Sequence, residues 1–233
     1  MDHLETLFLD AGGVLVFPNW NRIADAVRGQ GLTVSADALA AAEARVKFEI
    51  DQGIRHGHST DAQRAWMYME MVLETAGITR GEASAAAVRE LRAYHAEHNL
   101  WESVPADVVP ALERLSALGL RLVVVSNANG VLHRAFDRVG LTRHFHCICD
   151  SFLDGVEKPD PRFFQIALDR AGAAAETTMH VGDLYYVDVA GARNSGIRPM
   201  LIDPLGLYQD YDVDRVRTLD ELADRLGGTR AKG

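Results

Sequence analysis

The sequence lacks several features that would assign it to a specialised class of protein. It contains no apolar run of the roughly eighteen residues that cross a membrane, and no basic segment followed by an apolar stretch opens the chain. Dense clusters of Lys and Arg are also missing, and the formal net charge of -9 argues against a sequence-independent binder of nucleic acid. We therefore expect a cytoplasmic protein that binds neither membranes nor nucleic acid.

Cysteine is scarce, with two residues in a chain of 233. Cys147 and Cys149 alternate within a predicted strand, and we predict that they point to opposite faces and form no disulfide with each other. A reducing compartment agrees with this usage. The composition, with 48% hydrophobic and 24% charged residues, is that of an ordinary globular protein, and we expect a monomer or a homodimer.

The apolar pattern changes twice along the chain. A strand-like run over Thr6–Leu9 comes first, and the pattern is then helical from about Trp20 to His98. After Pro105 short apolar runs alternate with helical segments, and these runs are Arg121–Val125, Cys147–Cys149, Met179–Val181 and Pro199–Ile202. This order predicts an α/β fold. Residues 1–18 and 100–233 form a Rossmann-like, doubly wound parallel-sheet core, and residues 19–99 form an α-helical cap domain.

Polar residues follow the predicted strands at or just beyond their carboxyl ends. They are Asp10, Ser126, Asn127, Lys158, Asp183 and Asp188. Strand ends of this kind converge on one crevice, where ligands bind in open α/β sheets. A carboxylate nucleophile, a hydroxyl, an ammonium and two further carboxylates for a hard cation suit phosphoryl transfer. Each residue alone has an ordinary alternative, because Asp, Ser and Asn also cap helices and a loop lysine is usually solvated.

Four segments carry a family resemblance: FLDAGGVLV, VVVSNAN, VEKPDP and HVGDLYYVD. In this order and spacing they resemble the four motifs of the haloacid dehalogenase superfamily, whose members also carry caps between the first and second motifs. The resemblance implies that Asp10 attacks the substrate and forms an aspartyl intermediate. It also implies that Ser126 holds the transferring group and that Lys158 steadies the nucleophile and the substrate charge.

The same resemblance implies a Mg2+ site and a substrate contact. Asp10, the carbonyl of Gly12 and Asp183 would bind the metal, and Asp188 would be a direct or water-mediated partner. Asn127 and Gly12, together with Ser126, would contact a small substrate. We therefore expect a Mg2+-dependent hydrolase of a small phosphorylated molecule.

One departure from the pattern affects the chemistry. Phosphatases of this superfamily usually carry a second Asp two residues after the nucleophile, which protonates the leaving alcohol, and here that residue is Gly12. General acid catalysis is worth about 100- to 10,000-fold, so its loss is serious. His58 in the predicted cap is a weak candidate for a substitute.

Three alternatives stay open at this point. Metal-independent 2-haloacid dehalogenases need no leaving-group acid, but they have an uncharged residue in place of Asp183 and a tyrosine in place of Phe164. Phosphonate-cleaving hydrolases also lack the second Asp and use a cap lysine as a Schiff base, for which Lys47 is the candidate. A catalytically silent binding protein with the same fold is the third alternative.

Overall fold

A computed structural model describes residues 4–54 and 61–230 of the chain. The chain divides into two compact units: one runs to Phe17 and resumes at Ser103, and the other spans Pro18–Glu102. The second unit is an insertion that follows the first strand of the sheet. Its predicted role as a cap stays a prediction.

The main sheet has six parallel strands in the order β5-β4-β1-β6-β7-β8. In chain order the strands are β1 Thr6–Leu9, β2 Phe17–Pro18, β3 Trp101–Ser103, β4 Arg121–Ser126, β5 Cys147–Asp150, β6 Thr178–Gly182, β7 Arg198–Ile202 and β8 Arg215–Val216. Strands β2 and β3 pair separately. The α/β fold class is confirmed, because parallel strands connected by helices are the hallmark of a doubly wound sheet.

The helices of the first unit lie between strands of the main sheet along the chain, except the last helix, which follows the last strand. They are α5 Val108–Ala117, α6 Leu132–Arg138, α7 Ser151–Asp154, α8 Pro161–Ala171, α9 Ala190–Asn194 and α10 Leu219–Arg230. One apolar cluster joins Phe163 and Phe164 of α8 to Phe8, Val123 and Val125 of the sheet. Strand β1 is buried at all four positions, as expected for a central parallel strand covered on both faces.

The inserted unit contains four helices among its described residues: α1 Trp20–Gly29, α2 Ala36–Ile54, α3 Asp61–Thr75 and α4 Glu82–His98. Apolar side chains from all four form its own core, which includes Ile23, Val46, Met69, Val72 and Leu91. Asn19 begins α1 as its N-cap, because the side-chain oxygen accepts the N–H of Arg22 at 3.0 Å. Among the described helices, none combines the length and apolarity needed to cross a bilayer.

The prediction that Cys147 and Cys149 point to opposite faces is wrong. Both side chains lie against the same apolar cluster, and a hydrogen bond to Cys149 lowers the pKa of the Cys147 thiol to about 7. The reason is geometric, since strand side chains alternate at each step and residues two apart share a face. Both thiols are free in the structure, and the expectation that they form no disulfide with each other stays a prediction.

Candidate active site

Three adjacent strands bring their carboxyl ends to one edge of the sheet. Asp10 directly follows β1, Ser126 ends β4 and Asp183 directly follows β6, with β1 between the other two strands. The backbone N–H of Asp10 donates to the carbonyl of Val181 at 2.9 Å, which holds the first residue beyond β1 against β6. The chain turns to opposite sides of β1 when it forms β4 and β6, and this is the place where such sheets bind ligands.

Lys158 comes to this edge from the loop between α7 and α8. The side-chain amide of Asn127 makes two hydrogen bonds to the backbone of Lys158. Its Nδ2 donates to the Lys158 carbonyl at 3.0 Å, and its Oδ1 accepts the Lys158 N–H at 2.8 Å. The lysine side chain is only 1% exposed, and its Nζ lies 2.9 Å from Oδ1 of Asp10 and 2.7 Å from Oδ1 of Asp188. Burial opposes the charged form, but these two carboxylates outweigh it and hold the pKa of Lys158 above its ordinary value.

Asp188 is carried by a π-helical turn, Tyr185–Val189, and both of its oxygens are engaged. Oδ1 lies 2.7 Å from Nζ of Lys158 and 2.9 Å from Nε2 of His180. Oδ2 accepts the backbone N–H groups of Asp183 at 3.2 Å and Leu184 at 3.0 Å. A carboxylate can accept about four hydrogen bonds, so these four contacts use the full capacity of Asp188. Asp188 thereby holds Lys158, His180 and the backbone after β6 in fixed positions. Burial favours its neutral form, but Lys158 and His180 hold the pKa of Asp188 below its ordinary value.

Gly182 allows this close approach. A β-carbon at this position would lie 2.1 Å from Cγ of Asp188, which no real structure tolerates. The glycine of the last motif is therefore required by the packing of the carboxylate that follows six residues later, and its backbone angles do not require glycine.

His180 was not among the predicted site residues. Its side chain is completely buried in β6, Nε2 contacts Asp188, and the ring meets Phe164 edge to face with 5.1 Å between the ring centres. Burial lowers the pKa of His180 below its ordinary value, Lys158 acts in the same direction, and Asp188 opposes both. The signal in the sequence was one ionisable residue inside a strand whose other residues are uncharged.

The carboxylates could hold a hard cation. One oxygen from each of Asp10, Asp183 and Asp188 lies within 4.8 Å of the other two. Three carboxylates beside the single ammonium of Lys158 leave a formal charge of -2. An all-oxygen donor set with this excess charge fits Mg2+ chemically. Because the oxygens of Asp188 already have four partners, Asp10 and Asp183 are the better candidates for direct ligands.

The other predicted site residues lie at the same edge. Ser126 is buried, and its hydroxyl makes one long contact of 3.5 Å to the carbonyl of Asn127. Gly12 is half-buried in a tight turn in which the N–H groups of Leu15 and Val16 both donate to the Ala11 carbonyl at 2.9 Å. Asn127 was predicted to contact substrate, and the structure uses both ends of its side-chain amide on the backbone of Lys158 instead. Its predicted substrate contact remains untested.

Two residues of the predicted cap, Lys47 and His58, were candidates for a part in the reaction. Lys47 forms an ion pair with Glu43 at 3.1 Å, one helical turn away in α2. His58 lies outside the described residues. Asp150, the last residue of β5, accepts backbone N–H groups of Gly130 and Phe152 and so shapes the loop after β4.

Comparison with known families gives this arrangement a context. The family model of the haloacid dehalogenase-like hydrolases matches residues 4–196. The chain belongs to this family. The match covers the sheet edge that carries Asp10, Ser126, Lys158 and Asp183, together with the inserted helical unit.

Curated relatives and solved structures agree with the assignment. The haloacid dehalogenase-like hydrolase domain-containing protein 3 of Bos taurus is 30% identical over 88% of this chain and 86% of its own. A glyceraldehyde 3-phosphate phosphatase of Methanopyrus kandleri is 31% identical over 58% of this chain and 62% of its own.

Two solved structures share the fold along nearly the whole chain. The magnesium-bound HAD-hydrolase YfnB of Bacillus subtilis has a TM-score of 0.71 at 17% identity and covers 97% of this chain and 99% of its own. A structure described as a dehalogenase has a TM-score of 0.66 at 24% identity and covers 97% and 98%. Both identities are too low to transfer an activity, so they support the fold of the family alone.

Proposed function

We propose that the chain is a Mg2+-dependent phosphatase of a small phosphorylated molecule and that Asp10 is its covalent nucleophile. The observation that carries the proposal is the position of Asp183, which has a carboxylate oxygen within 4.8 Å of a carboxylate oxygen of Asp10. Two carboxylates at this spacing repel each other unless a cation lies between them. A metal-independent dehalogenase has no need for the second one. The phosphatase name of the Methanopyrus kandleri relative supports the same choice.

In the first step a carboxylate oxygen of Asp10 forms a bond to phosphorus as the bond to the leaving oxygen breaks. Lys158 lies 2.9 Å from Asp10 and fixes the attacking group while it offsets negative charge. The Ser126 hydroxyl donates to an oxygen of the transferring phosphoryl group. Water then attacks the aspartyl phosphate, which releases phosphate and restores Asp10.

We assign the metal ligands to Asp10, Asp183 and the carbonyl of Gly12, with Asp188 acting through the groups it holds. When bound, Mg2+ supplies charge stabilisation for the phosphoryl oxygens. The substrate class is proposed as a small phosphate ester.

Gly12 leads to an expectation about the leaving group. It has no side chain to protonate the departing oxygen, so this oxygen must carry the developing charge itself. Esters with acidic leaving groups, such as aryl phosphates or sugar 1-phosphates, should therefore react much faster than alkyl phosphates.

The test compares a graded series of phosphate esters with 2-chloropropionate, each assayed with excess chelator and after Mg2+ is restored. We expect Mg2+-dependent phosphate release that declines steeply as the pKa of the leaving group rises, and no halide release. Asp183→Asn should lose most of this activity. Asp212→Asn, at a fully exposed position, is the matched control.

Two results would contradict the proposal. Halide release that persists in excess chelator would identify a dehalogenase. The absence of turnover on every ester and haloacid, with the protein folded, would favour a silent binding protein. A flat dependence on leaving-group pKa, with chemistry rate-limiting, would contradict only the expectation drawn from Gly12, because another group would then act as the acid.

A further inference from the structure

We propose that His180 is a positioning residue for the reaction, acting through Asp188 on Lys158. Its Nε2–H group would hold Oδ1 of Asp188 in the orientation from which this oxygen also binds the Lys158 ammonium. Lys158 would thereby be kept in place beside Asp10. The inference rests on the proposed function, because it assigns His180 a part in that same reaction.

The surroundings of His180 restrict the movement of its ring. The side chain is completely buried, and its backbone lies between Phe8 of β1 and Pro199 of β7 in the sheet. The edge-to-face contact with Phe164, at an angle of 84°, supports the ring from the side of α8. A ring fixed in this way presents Nε2 to Asp188 at 2.9 Å without the entropy cost that a flexible donor would incur.

The two ring nitrogens have different surroundings. Nε2 contacts Asp188, whereas Nδ1 has no hydrogen-bond partner among the described residues. Because a carboxylate only accepts, the hydrogen must lie on Nε2. A second hydrogen on Nδ1 would be buried without an acceptor, which is costly. The arrangement therefore selects a neutral imidazole that donates from Nε2.

The contact completes the set of partners around Asp188. Two backbone N–H groups fix Oδ2, and Oδ1 is shared between His180 and Lys158. Without the imidazole, Oδ1 would be held by the lysine alone. The carboxylate could then turn about the fixed Oδ2 and carry the ammonium with it. Since Nζ of Lys158 also contacts Asp10 at 2.9 Å, such a movement would shift the charge next to the nucleophile.

A neutral donor suits this position for an electrostatic reason. Asp10, Asp183 and Asp188 beside Lys158 leave a formal charge of -2, which a divalent cation can offset. A second cationic side chain beside Asp188 would reduce this excess and weaken the attraction for the metal. Histidine in its neutral form gives Asp188 a hydrogen bond and leaves the charge balance unchanged.

The test uses three substitutions that separate hydrogen bonding from packing. His180→Gln places an amide N–H near the position of Nε2, His180→Asn places it near Nδ1, and His180→Phe fills the volume without a donor. We expect kcat to fall about 10- to 100-fold in the Phe and Asn variants with a much smaller change in KM, the size seen when outer-shell partners are removed. The Gln variant should recover most of the loss.

His133→Gln is the matched control, because His133 is exposed and its ring contacts only Asp137 among the described residues. Circular dichroism and thermal melting should show that each variant is folded. If all three His180 variants stay within threefold of the unsubstituted chain, the positioning role is wrong. If the Gln variant is as impaired as the Phe variant while both are folded, the ring acts through packing and the inference also fails.

A spectroscopic measurement keeps this inference separate from the proposed function. Nitrogen-15 NMR of labelled histidine should show one buried neutral ring protonated at Nε2, with a downfield proton that His180→Phe removes. If the unsubstituted chain hydrolyses no phosphate ester, the proposed function fails, and the histidine contact is then judged by this resonance. Its presence supports the contact with Asp188, and a ring protonated at Nδ1 overturns it.

Discussion

Asp10, the proposed nucleophile, is held by contacts that differ for its backbone and its side chain. Its N–H group is tied to Val181 of the neighbouring strand, and its carboxylate faces the Lys158 ammonium at 2.9 Å. The side chain is 14% exposed, whereas that of Lys158 is 1% exposed. The proposed nucleophile thus remains partly exposed, while the ammonium beside it is held inside the protein.

The first residue-scale prediction concerns this carboxylate. Asp10→Asn should reduce phosphate release by at least about 1,000-fold, because an amide oxygen does not form the covalent intermediate and residues acting as a unit fail together. The measurement is kcat on an activated aryl phosphate, accompanied by a thermal melt. Wild-type turnover by a folded Asp10→Asn variant would disprove the covalent mechanism.

Asn127 illustrates how far a residue's role was predictable. Its place directly after a strand predicted a polar group at the crevice, and the structure places Asn127 directly after β4, while its substrate contact stays a prediction. The sequence could not show that both ends of its side-chain amide bind the backbone of Lys158, 31 residues away. Such a contact depends on how a loop folds back, and residue spacing contains no record of it.

At the scale of elements, the junction of β5 and α7 supports the site without belonging to it. Asp150 ends β5 beside Ser126 and is the N-cap of α7, where it accepts the N–H of Phe152 at 3.0 Å. It also accepts the N–H group of Gly130, in the loop that follows β4, at 3.0 Å and that of Leu132, the first residue of α6, at 3.4 Å. One buried carboxylate therefore joins two elements.

The element-scale prediction follows from these contacts. Asp150→Ala should lower the free energy of unfolding by about 1–3 kcal/mol, because several buried N–H groups lose their acceptor. Chemical denaturation measures the change. Asp160→Ala is the matched control, since Asp160 is also an N-cap but serves one backbone N–H, that of Arg162, at a more exposed position. A smaller loss in the Asp150 variant than in the control would contradict the assignment.

The strands and helices themselves were largely readable. The run over Thr6–Leu9 matches β1 residue for residue, and the other four predicted core strands fall within β4, β5, β6 and β7. Buried parallel strands are nearly continuous in apolar residues, so their pattern stands out. The short strands β2, β3 and β8 were missed, because two or three residues are too few for any period to be visible.

At the scale of the whole molecule, negative charge is unevenly distributed. The chain has a formal net charge of -9, of which -2 is concentrated among the buried or half-buried groups of the site. Buried like charges cost stability unless a counter-ion offsets them. A bound cation should therefore stabilise the folded state as well as serve the reaction.

This expectation gives the last prediction. Mg2+ at about 100 times its dissociation constant should add about 2.7 kcal/mol to the stability, which corresponds to a rise of roughly 5–10 °C in melting temperature. Asp183→Asn should remove most of the rise. Samples without Mg2+ are matched in ionic strength with KCl, so that general screening is the same. An equal rise in the variant would mean that the cation binds elsewhere.

The sequence by itself determined the class of fold, the order of the core strands along the chain and the chemical set at their ends. It did so because apolar periodicity and short motifs are local properties, which a few neighbouring residues carry. The missing acid at Gly12 was also visible in this way, as was the retained carboxylate of Asp183.

Only the tertiary structure decided how those groups are paired. It revealed the contacts of His180 with Asp188, of Asp188 with Lys158 and of Lys158 with Asp10. These pairings join residues from two strands, a π-helical turn and a loop, and each depends on the packing of the other elements. A pattern along the chain records which residues are present, but the distances between their side chains exist only once the sheet has formed.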